Sequence, residues 1–267
     1  MKDVILTLTK LKRITIHYHI DDYSAPWSDC TPVLLIHSAG GNVNRWHQWV
    51  PNLAKHRPVI RYDMRGHGLT ETGTTITSVE ELIQDILDLM EFLKIQKFHV
   101  VGASAGGVIA LKLAHTSSMV KSLTLIASTP FLAQTNINAS EWGRILKEEG
   151  TKAWLLSDSH LRFGRDTNPE IIKWYAEEGS KTPATTVISL QQCLLAQNYS
   201  PILKDIKIPS LILASENDDI TPHFAQITLN EQLSNSKLMW FKDVGHNLKL
   251  EIPDELSHIT SDFISNI

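Results

Sequence analysis

The sequence contains only two cysteines, Cys30 and Cys193, among its 267 residues. So few cysteines argue against a disulfide framework and are compatible with a reducing compartment. Long apolar runs are also missing, since none approaches the ~18 residues that a membrane-spanning helix needs. The opening residues MKDV do not begin a signal peptide, because an acidic residue and strand-like alternation follow. These absences predict a cytoplasmic protein that does not insert into a membrane.

An excess of positive charge is absent as well. The formal net charge is -4 and no basic block occurs, so nucleic acid is not an expected partner. Neither a dinucleotide fingerprint nor a cluster of metal ligands is found, so we predict no organic cofactor and no metal. His17 and His19 fall on one face of a predicted strand. They have no third ligand nearby, and we interpret them as part of a solvated strand face.

What the sequence does contain is a strand, a tight turn and a helix in immediate succession. Residues 98–101 form an apolar run, the pentapeptide GASAG follows shortly after, and residues 108–114 favour a helix. A G-x-S-x-G turn in this context is typical of a nucleophile elbow, in which glycines let the strand and the helix approach closely. The Ser104 hydroxyl would then be exposed, with the N–H of Ala105 directed at a developing oxyanion. The alternative interpretation is a glycine-rich turn with an incidental serine.

The rest of the chain alternates short apolar runs with helical patterns. This order predicts an α/β protein with a mostly parallel sheet and right-handed crossovers. An antiparallel pair, 4–9 and 13–20, is expected at the sheet edge. The further strands are predicted at 33–36, 59–62, 98–101, 122–127, 210–214 and 237–241.

The pattern changes between residues 131 and 203, where helical periodicity and aromatic residues replace the strands. We therefore predict a core domain of residues 1–130 and 204–267 with a helical cap, residues 131–203, inserted into it. Within the insertion, Arg162, Arg165 and His160 are interpreted either as anchors for an anion or as solvated charges.

Residues with useful chemistry follow three of the predicted strands. Ser104 follows one, an acidic loop with Glu216, Asp218 and Asp219 follows another, and His246 follows the last. Loops after parallel strands gather at the carboxyl edge of a sheet, where open α/β folds build their sites. A neutral histidine can take the proton of a serine, and a buried carboxylate can orient that histidine. Spacing alone does not separate the three acidic candidates.

Five segments in this order resemble the α/β-hydrolase superfamily over essentially the whole chain: HSAGGN, RYDMRGHG, GASAGG, SENDDITP and VGHNLKLEIPDE. The resemblance implies an α/β-hydrolase fold, with a mostly parallel central sheet, helices on both faces and a helical cap. It also implies Ser104 as nucleophile, His246 as base and Asp218 as orienting acid, because the acid of this family precedes a D-P-x-T-P-like segment. By position, the backbone N–H groups of Ala39 and Ala105 match the two oxyanion donors.

Within the superfamily, the RYDMRGHG segment and a cap about four helices in size are most similar to 3-oxoadipate enol-lactonases and related small esterases. This narrower resemblance implies a serine hydrolase that opens a carboxylic ester or lactone through an acyl-enzyme. Ala39 stands where a bulky residue is frequent and so leaves space near the scissile carbonyl, and the cap supplies aromatic residues. We therefore expect the small-molecule substrate to be an apolar or aromatic ester or lactone. Ser38 departs from the usual glycine and Ala103 from a frequent histidine. The sequence does not determine the oligomeric state, and a homodimer is compatible with it.

Other functions of the same superfamily remain as alternatives. Epoxide hydrolases and haloalkane dehalogenases are excluded, because they need an aspartate at the elbow and this chain has Ser104 there. Cofactor-free perhydrolases and carbon–carbon bond hydrolases keep the serine. A ligand receptor or regulatory protein with slow turnover would keep the same residues too.

Overall fold

The computed structural model describes residues 7–28, 30–73, 75–76 and 78–267, and its centre is one eight-stranded sheet. In chain order the strands are β1 (Leu8–Lys10), β2 (Thr15–Asp21), β3 (Val33–Ile36), β4 (Val59–Tyr62), β5 (Phe98–Ala103), β6 (Val120–Ile126), β7 (Ser210–Ser215) and β8 (Ser236–Phe241). Their spatial order is β1-β2-β4-β3-β5-β6-β7-β8. β2 is antiparallel to β1 and β4, and the other neighbours are parallel. This confirms the predicted sheet, although residues 4–6 of the predicted first strand lie outside the described residues.

Helices connect most of the parallel strands. They are α1 (Val50–Leu53), α2 (Val79–Phe92), α3 (Ala105–Thr116), α4 (Ala139–Glu148), α5 (Gly150–Ser157), α6 (Ser159–Arg162), α7 (Pro169–Gly179), α8 (Ala184–Leu195), α9 (His223–Gln232), α10 (Leu248–Glu251) and α11 (Pro253–Ser265). Among the described residues, three short 3-10 helices occur at Val43–Trp46, Leu132–Gln134 and Ser200–Asp205. In the described part of the chain, none of these helices combines the length and the hydropathy that crossing a bilayer requires.

The central strands are apolar on both sides because both faces of the sheet are covered. In β3, Leu34 and Ile36 belong to the apolar layer that includes α2 and α3. Val33 and Leu35 belong to the opposite layer, which includes residues of α1 and α11. Since successive strand residues face opposite sides, four consecutive apolar residues fill both layers. Helices on both faces are therefore confirmed.

The insertion between β6 and β7 is helical. All of its residues are described, and between these two strands they form helices and loops without a further strand. It contains five α-helices, α4 to α8, where a size of about four was expected, because the chain breaks between α5 and α6 at Asp158. Trp154, Leu155 and Tyr175 belong to its shared apolar cluster. The helical character of this stretch is confirmed, and its role as a separate cap stays a prediction.

The loop after β4 is braced by a buried carboxylate. Asp63 Oδ1 accepts a hydrogen bond from the Val43 N–H (2.7 Å), and Asp63 Oδ2 accepts one from the Leu69 N–H (2.9 Å). His17 Nδ1 lies 2.7 Å from Asp63 Oδ2, and His17 is only 3% exposed. The interpretation of His17 as part of a solvated strand face is therefore wrong, because this loop folds over that part of β2.

Candidate active site

Ser104 occupies the turn between β5 and α3, where its backbone has φ 51° and ψ -119°. A positive φ is sparsely populated for residues with a side chain, and such strain concentrates at functional sites. A Cβ on Gly102 would lie 2.5 Å from the carbonyl oxygen of Gly106, and one on Gly106 would lie 2.5 Å from that of His37. Both contacts are with backbone atoms, so glycine at these positions lets α3 pack directly against β5 and the end of β3.

Three of the predicted site residues form a hydrogen-bonded series in which His246 lies between Ser104 and Asp218. His246 Nε2 lies 2.9 Å from Ser104 Oγ, and His246 Nδ1 lies 2.9 and 3.0 Å from the two oxygens of Asp218. The His246 and Asp218 side chains are 4% and 2% exposed. An ionised carboxylate only accepts hydrogen bonds, so Nδ1 must carry a proton and Nε2 of the neutral ring is free to accept from Ser104.

The acidic loop after β7 directs Asp218 inward and leaves its neighbours in solvent. Asp218 Oδ1 accepts hydrogen bonds from the backbone N–H groups of Ile220 (3.0 Å) and Thr221 (2.7 Å). These bonds hold the carboxylate at the end of β7 with its other oxygen facing His246. Asp219 and Glu216 are exposed. Of the three acidic candidates, only Asp218 contacts the histidine.

The loop that carries His246 is anchored on both sides of this residue. The N–H of Gly245 donates to Glu251 Oε1 (2.9 Å), and the N–H of Asn247 donates to the carbonyl oxygen of Arg162 (2.8 Å). The Ser215 hydroxyl also donates to the carbonyl oxygen of Val244. The imidazole is therefore held by the end of β7, by α10 and by α6, which the sequence positions alone do not indicate.

The two predicted oxyanion donors come from different parts of the chain. Ala105 begins α3, where the first N–H groups of a helix have no intrahelical acceptor. Ala39 belongs to the loop after β3, and both alanines line the same cavity as Ser104. Within the described part of the chain, neither backbone N–H donates to a protein acceptor. Both groups are thus available to an oxygen atom bound near Ser104.

His37 joins the loop after β3 to the loop after β4. Its Nδ1–H donates to the carbonyl oxygen of Ser38 (2.8 Å), and its Nε2 accepts from the N–H of Met64 (3.0 Å). Complete burial, together with the nearby His67, lowers the pKa of His37 to about 3. A proton on Nε2 would remove the bond from Met64 and bury a charge, so the folded protein requires the neutral ring.

Acid is therefore expected to destabilise the protein partly through His37. Between pH 6.5 and 3 the unfolded chain binds a proton at this residue and the folded chain does not, so stability falls as the pH is lowered. His37→Gln should reduce the slope of unfolding free energy against pH by about 1 kcal/mol per unit in this range. Urea denaturation at pH 5 to 7 measures the slope, and the pH 8 value gives the cost of the substitution itself. Equal slopes for the two proteins would contradict this prediction.

A narrow cavity of about 40 Å³ opens beside Ser104, and residues of the loops at the sheet edge and of the helical insertion line it. Most of its wall is apolar. The aromatic part is contributed by three different helices, through Trp142 on α4, Trp154 on α5 and Tyr175 on α7.

Several buried polar atoms of this wall have no hydrogen-bond partner within the described residues. They belong to four side chains that are at most 8% exposed and line the cavity: Ser38 Oγ, Trp154 Nε1, Gln191 Nε2 and Asn247 Nδ2. The sequence patterns did not single out Trp154, Gln191 or Asn247 for polar binding. The sequence signal that could have pointed to polar binding here is Gln191, a glutamine next to the leucines of α8.

Arg162 is buried in the wall of the cavity, so the solvated alternative is wrong for this residue. Its Nε and Nη2 donate to the two oxygens of Asp158 (2.6 and 2.9 Å). Its guanidinium carbon lies 4.9 Å from the ring centre of Trp142 and 4.6 Å from that of Trp154. Tyr175 and Asp158 raise its pKa against the effect of burial. The charge of Arg162 is thus already balanced by Asp158.

Comparison with known proteins shows the same fold and family over nearly the whole chain. Residues 31–253 match the family model described as alpha/beta hydrolase fold. The chain is 25% identical to 3-oxoadipate enol-lactonase 1 of Acinetobacter baylyi over 240 residues, covering 88% of this chain and 89% of that protein. It is 27% identical to 2-hydroxy-6-oxo-2,4-heptadienoate hydrolase of Pseudomonas putida over 252 residues, covering 88% of this chain and 89% of that protein.

Among solved structures, the enol-lactonase from Burkholderia xenovorans is similar to this chain with a TM-score of 0.89 at 23% identity. The likeness covers 97% of this chain and 100% of that one. At this identity the likeness shows the fold, and the family model supplies the membership. The resemblance to enol-lactonases is thereby confirmed, and the chain belongs to the α/β-hydrolase family.

Proposed function

We propose that this protein is a serine hydrolase that cleaves a carboxylic ester or lactone through an acyl-enzyme. The observation that carries the proposal is the continuous hydrogen-bonded series from Ser104 Oγ through His246 to Asp218. Serine is a weak nucleophile until a base accepts its proton, and His246 Nε2 is within reach to do so. The broader class, hydrolase, is supported by the similar proteins, which are themselves hydrolases or lactonases.

In the proposed reaction, Ser104 Oγ bonds to the carbonyl carbon while its proton moves to His246 Nε2. The carbonyl oxygen becomes an oxyanion, which accepts hydrogen bonds from the N–H groups of Ala39 and Ala105, each worth about 3 kcal/mol. Collapse breaks the bond to the leaving oxygen, which takes the proton from His246. In the second half of the reaction, water gives a proton to His246 and its oxygen bonds to the acyl carbon. The bond to Ser104 Oγ then breaks, Ser104 regains the proton from His246, and the carboxylic acid is released. Asp218 holds the required tautomer and stabilises the imidazolium throughout.

We also propose that residues 131–203 act as a cap on the core of residues 1–130 and 204–267. In support, the cavity at Ser104 lies between this insertion and the sheet edge, and the insertion supplies its aromatic residues. Burying a ligand under aromatic side chains favours apolar or aromatic groups. The proposed substrate is therefore a small ester or lactone with an apolar or aromatic part.

Two measurements on one preparation test this function. A fluorophosphonate should label the wild-type protein at Ser104, located by peptide mass spectrometry, and should not label Ser104→Ala. A panel of p-nitrophenyl esters and lactones should show turnover that the fluorophosphonate abolishes. Labelling without turnover would favour a receptor, and cleavage restricted to carbon–carbon bonds of a vinylogous diketone would favour a carbon–carbon bond hydrolase. Absence of labelling would reject the acyl-enzyme.

Replacing Ala39 should change the selectivity for the acyl group. Ala39 lines the cavity beside Ser104, so phenylalanine would occupy space that a bulky acyl group needs. We expect Ala39→Phe to lower the ratio of kcat/KM for bulky over small acyl esters by about tenfold. Ala139→Phe, at the exposed start of α4, is the matched control. An unchanged ratio in Ala39→Phe would show that Ala39 does not border the acyl group.

A further inference from the structure

Two N–H groups on the insertion side of the catalytic cavity lack an acceptor. Trp154 is 1% exposed and Gln191 is 8% exposed, and within the described residues neither Trp154 Nε1 nor Gln191 Nε2 has a hydrogen-bond partner. They lie on α5 and α8, which pack against each other and against α4. A buried donor left unpaired costs about 1–3 kcal/mol, so such donors are normally paired. The contents of the cavity are the available source of an acceptor.

The indole of Trp154 lies close to the reacting centre without taking part in it. A Cβ on Gly40, the residue after Ala39, would lie 3.3 Å from Cζ3 of Trp154. The other two unpartnered groups, on Ser38 and Asn247, directly neighbour Ala39 and His246 in the chain. Ser38 and Asn247 therefore stand at the reacting end of the cavity, whereas Trp154 and Gln191 belong to the helical insertion that forms another part of its wall.

The charge of the wall restricts which acceptor fits. Among the described residues that line the cavity, Arg162 is the one lysine, arginine, aspartate or glutamate. Both oxygens of Asp158 already bind its guanidinium, and two indole rings flank it. A ligand carboxylate would add a buried negative charge with no free counter-charge, which is costly, whereas a carbonyl oxygen requires only a donor.

We propose that the cavity selects acyl groups that carry a second, uncharged carbonyl oxygen, bound by Trp154 Nε1–H and Gln191 Nε2–H. The substrate class is thus a neutral oxo-acyl ester or oxo-lactone. This inference rests on the proposed serine hydrolase function and specifies its substrate. A site built to donate to a ligand oxygen discriminates strongly against an analogue without it, because its buried donors then stay unpaired.

A matched series of substrates tests the proposal. p-Nitrophenyl octanoate is compared with its 4-, 5-, 6- and 7-oxo forms and with the p-nitrophenyl monoester of octanedioic acid, each corrected for hydrolysis in buffer. At the best oxo position, kcat/KM should exceed that of octanoate by at least tenfold. The octanedioate ester should not exceed octanoate.

Two near-isosteric variants connect that preference to the named atoms. Trp154→Phe removes the N–H and keeps an aromatic ring, and Gln191→Met keeps the length and removes the amide. Each should reduce the oxo preference, which is the ratio of kcat/KM for the best oxo ester to that for octanoate, by about five- to tenfold. Gln192→Met, the exposed neighbour on α8, is the matched control and should keep the preference.

Each outcome either supports or overturns this inference. Ratios near one at every oxo position, a preference unaffected by both variants, or a preference for the octanedioate ester would overturn it while leaving the hydrolase intact. Failure of the proposed function is recognised separately, by missing fluorophosphonate labelling and missing octanoate turnover. In that case calorimetry with Ser104→Ala still decides, since the methyl oxo-octanoates should bind at least tenfold more tightly than methyl octanoate.

Discussion

Replacing Ser104 with alanine is expected to lower kcat for ester hydrolysis by at least four orders of magnitude. The substitution removes the oxygen that lies 2.9 Å from His246 Nε2, so neither proton transfer nor the acyl-enzyme remains available. The oxyanion donors and the cavity persist, and any residual rate above that in water would come from them. Initial rates with the best p-nitrophenyl ester, taken to long times at high enzyme concentration, give the measurement.

The folded state should tolerate this change, because Ser104 is only partly buried and alanine lacks just the hydroxyl. Thermal unfolding should move by no more than about 2 °C, which separates lost chemistry from lost structure. Ser117→Ala, at the other end of α3, is the matched control and should keep full activity. If Ser104→Ala retained more than about a tenth of the activity, the covalent mechanism would be rejected.

Asp218→Asn should have the second largest effect, a loss of up to ~10⁴-fold in kcat. Asp218 Oδ1 accepts from the backbone N–H groups of Ile220 and Thr221, and an asparagine can keep these bonds only with its carbonyl oxygen in that place. Its NH₂ group would then face His246 Nδ1 and donate to it. The ring would carry its proton on Nε2 instead, where it could no longer accept from Ser104.

This prediction separates tautomer control from general damage to the loop. Because the backbone hydrogen bonds are retained, we expect little change in the free energy of unfolding, measured by urea denaturation. Asp219→Asn is the matched control, since Asp219 is exposed and its side chain does not contact His246. It should cost a few tenths of a kcal/mol at most and little activity. A larger loss of activity at Asp219 than at Asp218 would contradict the assignment of the acid.

The sheet and the elbow could be predicted because their signals are local. Residues 33–36 and 59–62 are predicted strands that coincide with β3 and β4, since buried parallel strands require short apolar runs. The turn at Ser104 is also encoded locally, because only glycine at positions 102 and 106 avoids backbone collisions. The position of each strand end then predicts which loops share the carboxyl edge.

Other features depend on segments that are distant in the chain. His17 is buried because the loop after β4, more than forty residues away, supplies Asp63 to its imidazole. Arg162 is a cavity residue because Asp158 and two indoles on separate helices surround it. No local pattern reports such contacts, since a charged residue on a helix is equally consistent with exposure to solvent.

The sequence by itself determined the succession of strands along the chain, the elbow and the family to which the chain belongs. The family resemblance also implied Asp218 as the acid, whereas spacing alone did not separate it from Asp219, and the tertiary structure shows Asp218 in contact with His246 and Asp219 exposed. Only the tertiary structure revealed that Trp154 and Gln191 line one cavity and carry N–H groups without a partner among the described residues. The physical reason is the distance along the chain over which each kind of interaction acts. Strand, turn and helix preferences act over a few neighbouring residues, whereas side-chain hydrogen bonding and burial are settled only when distant elements pack together.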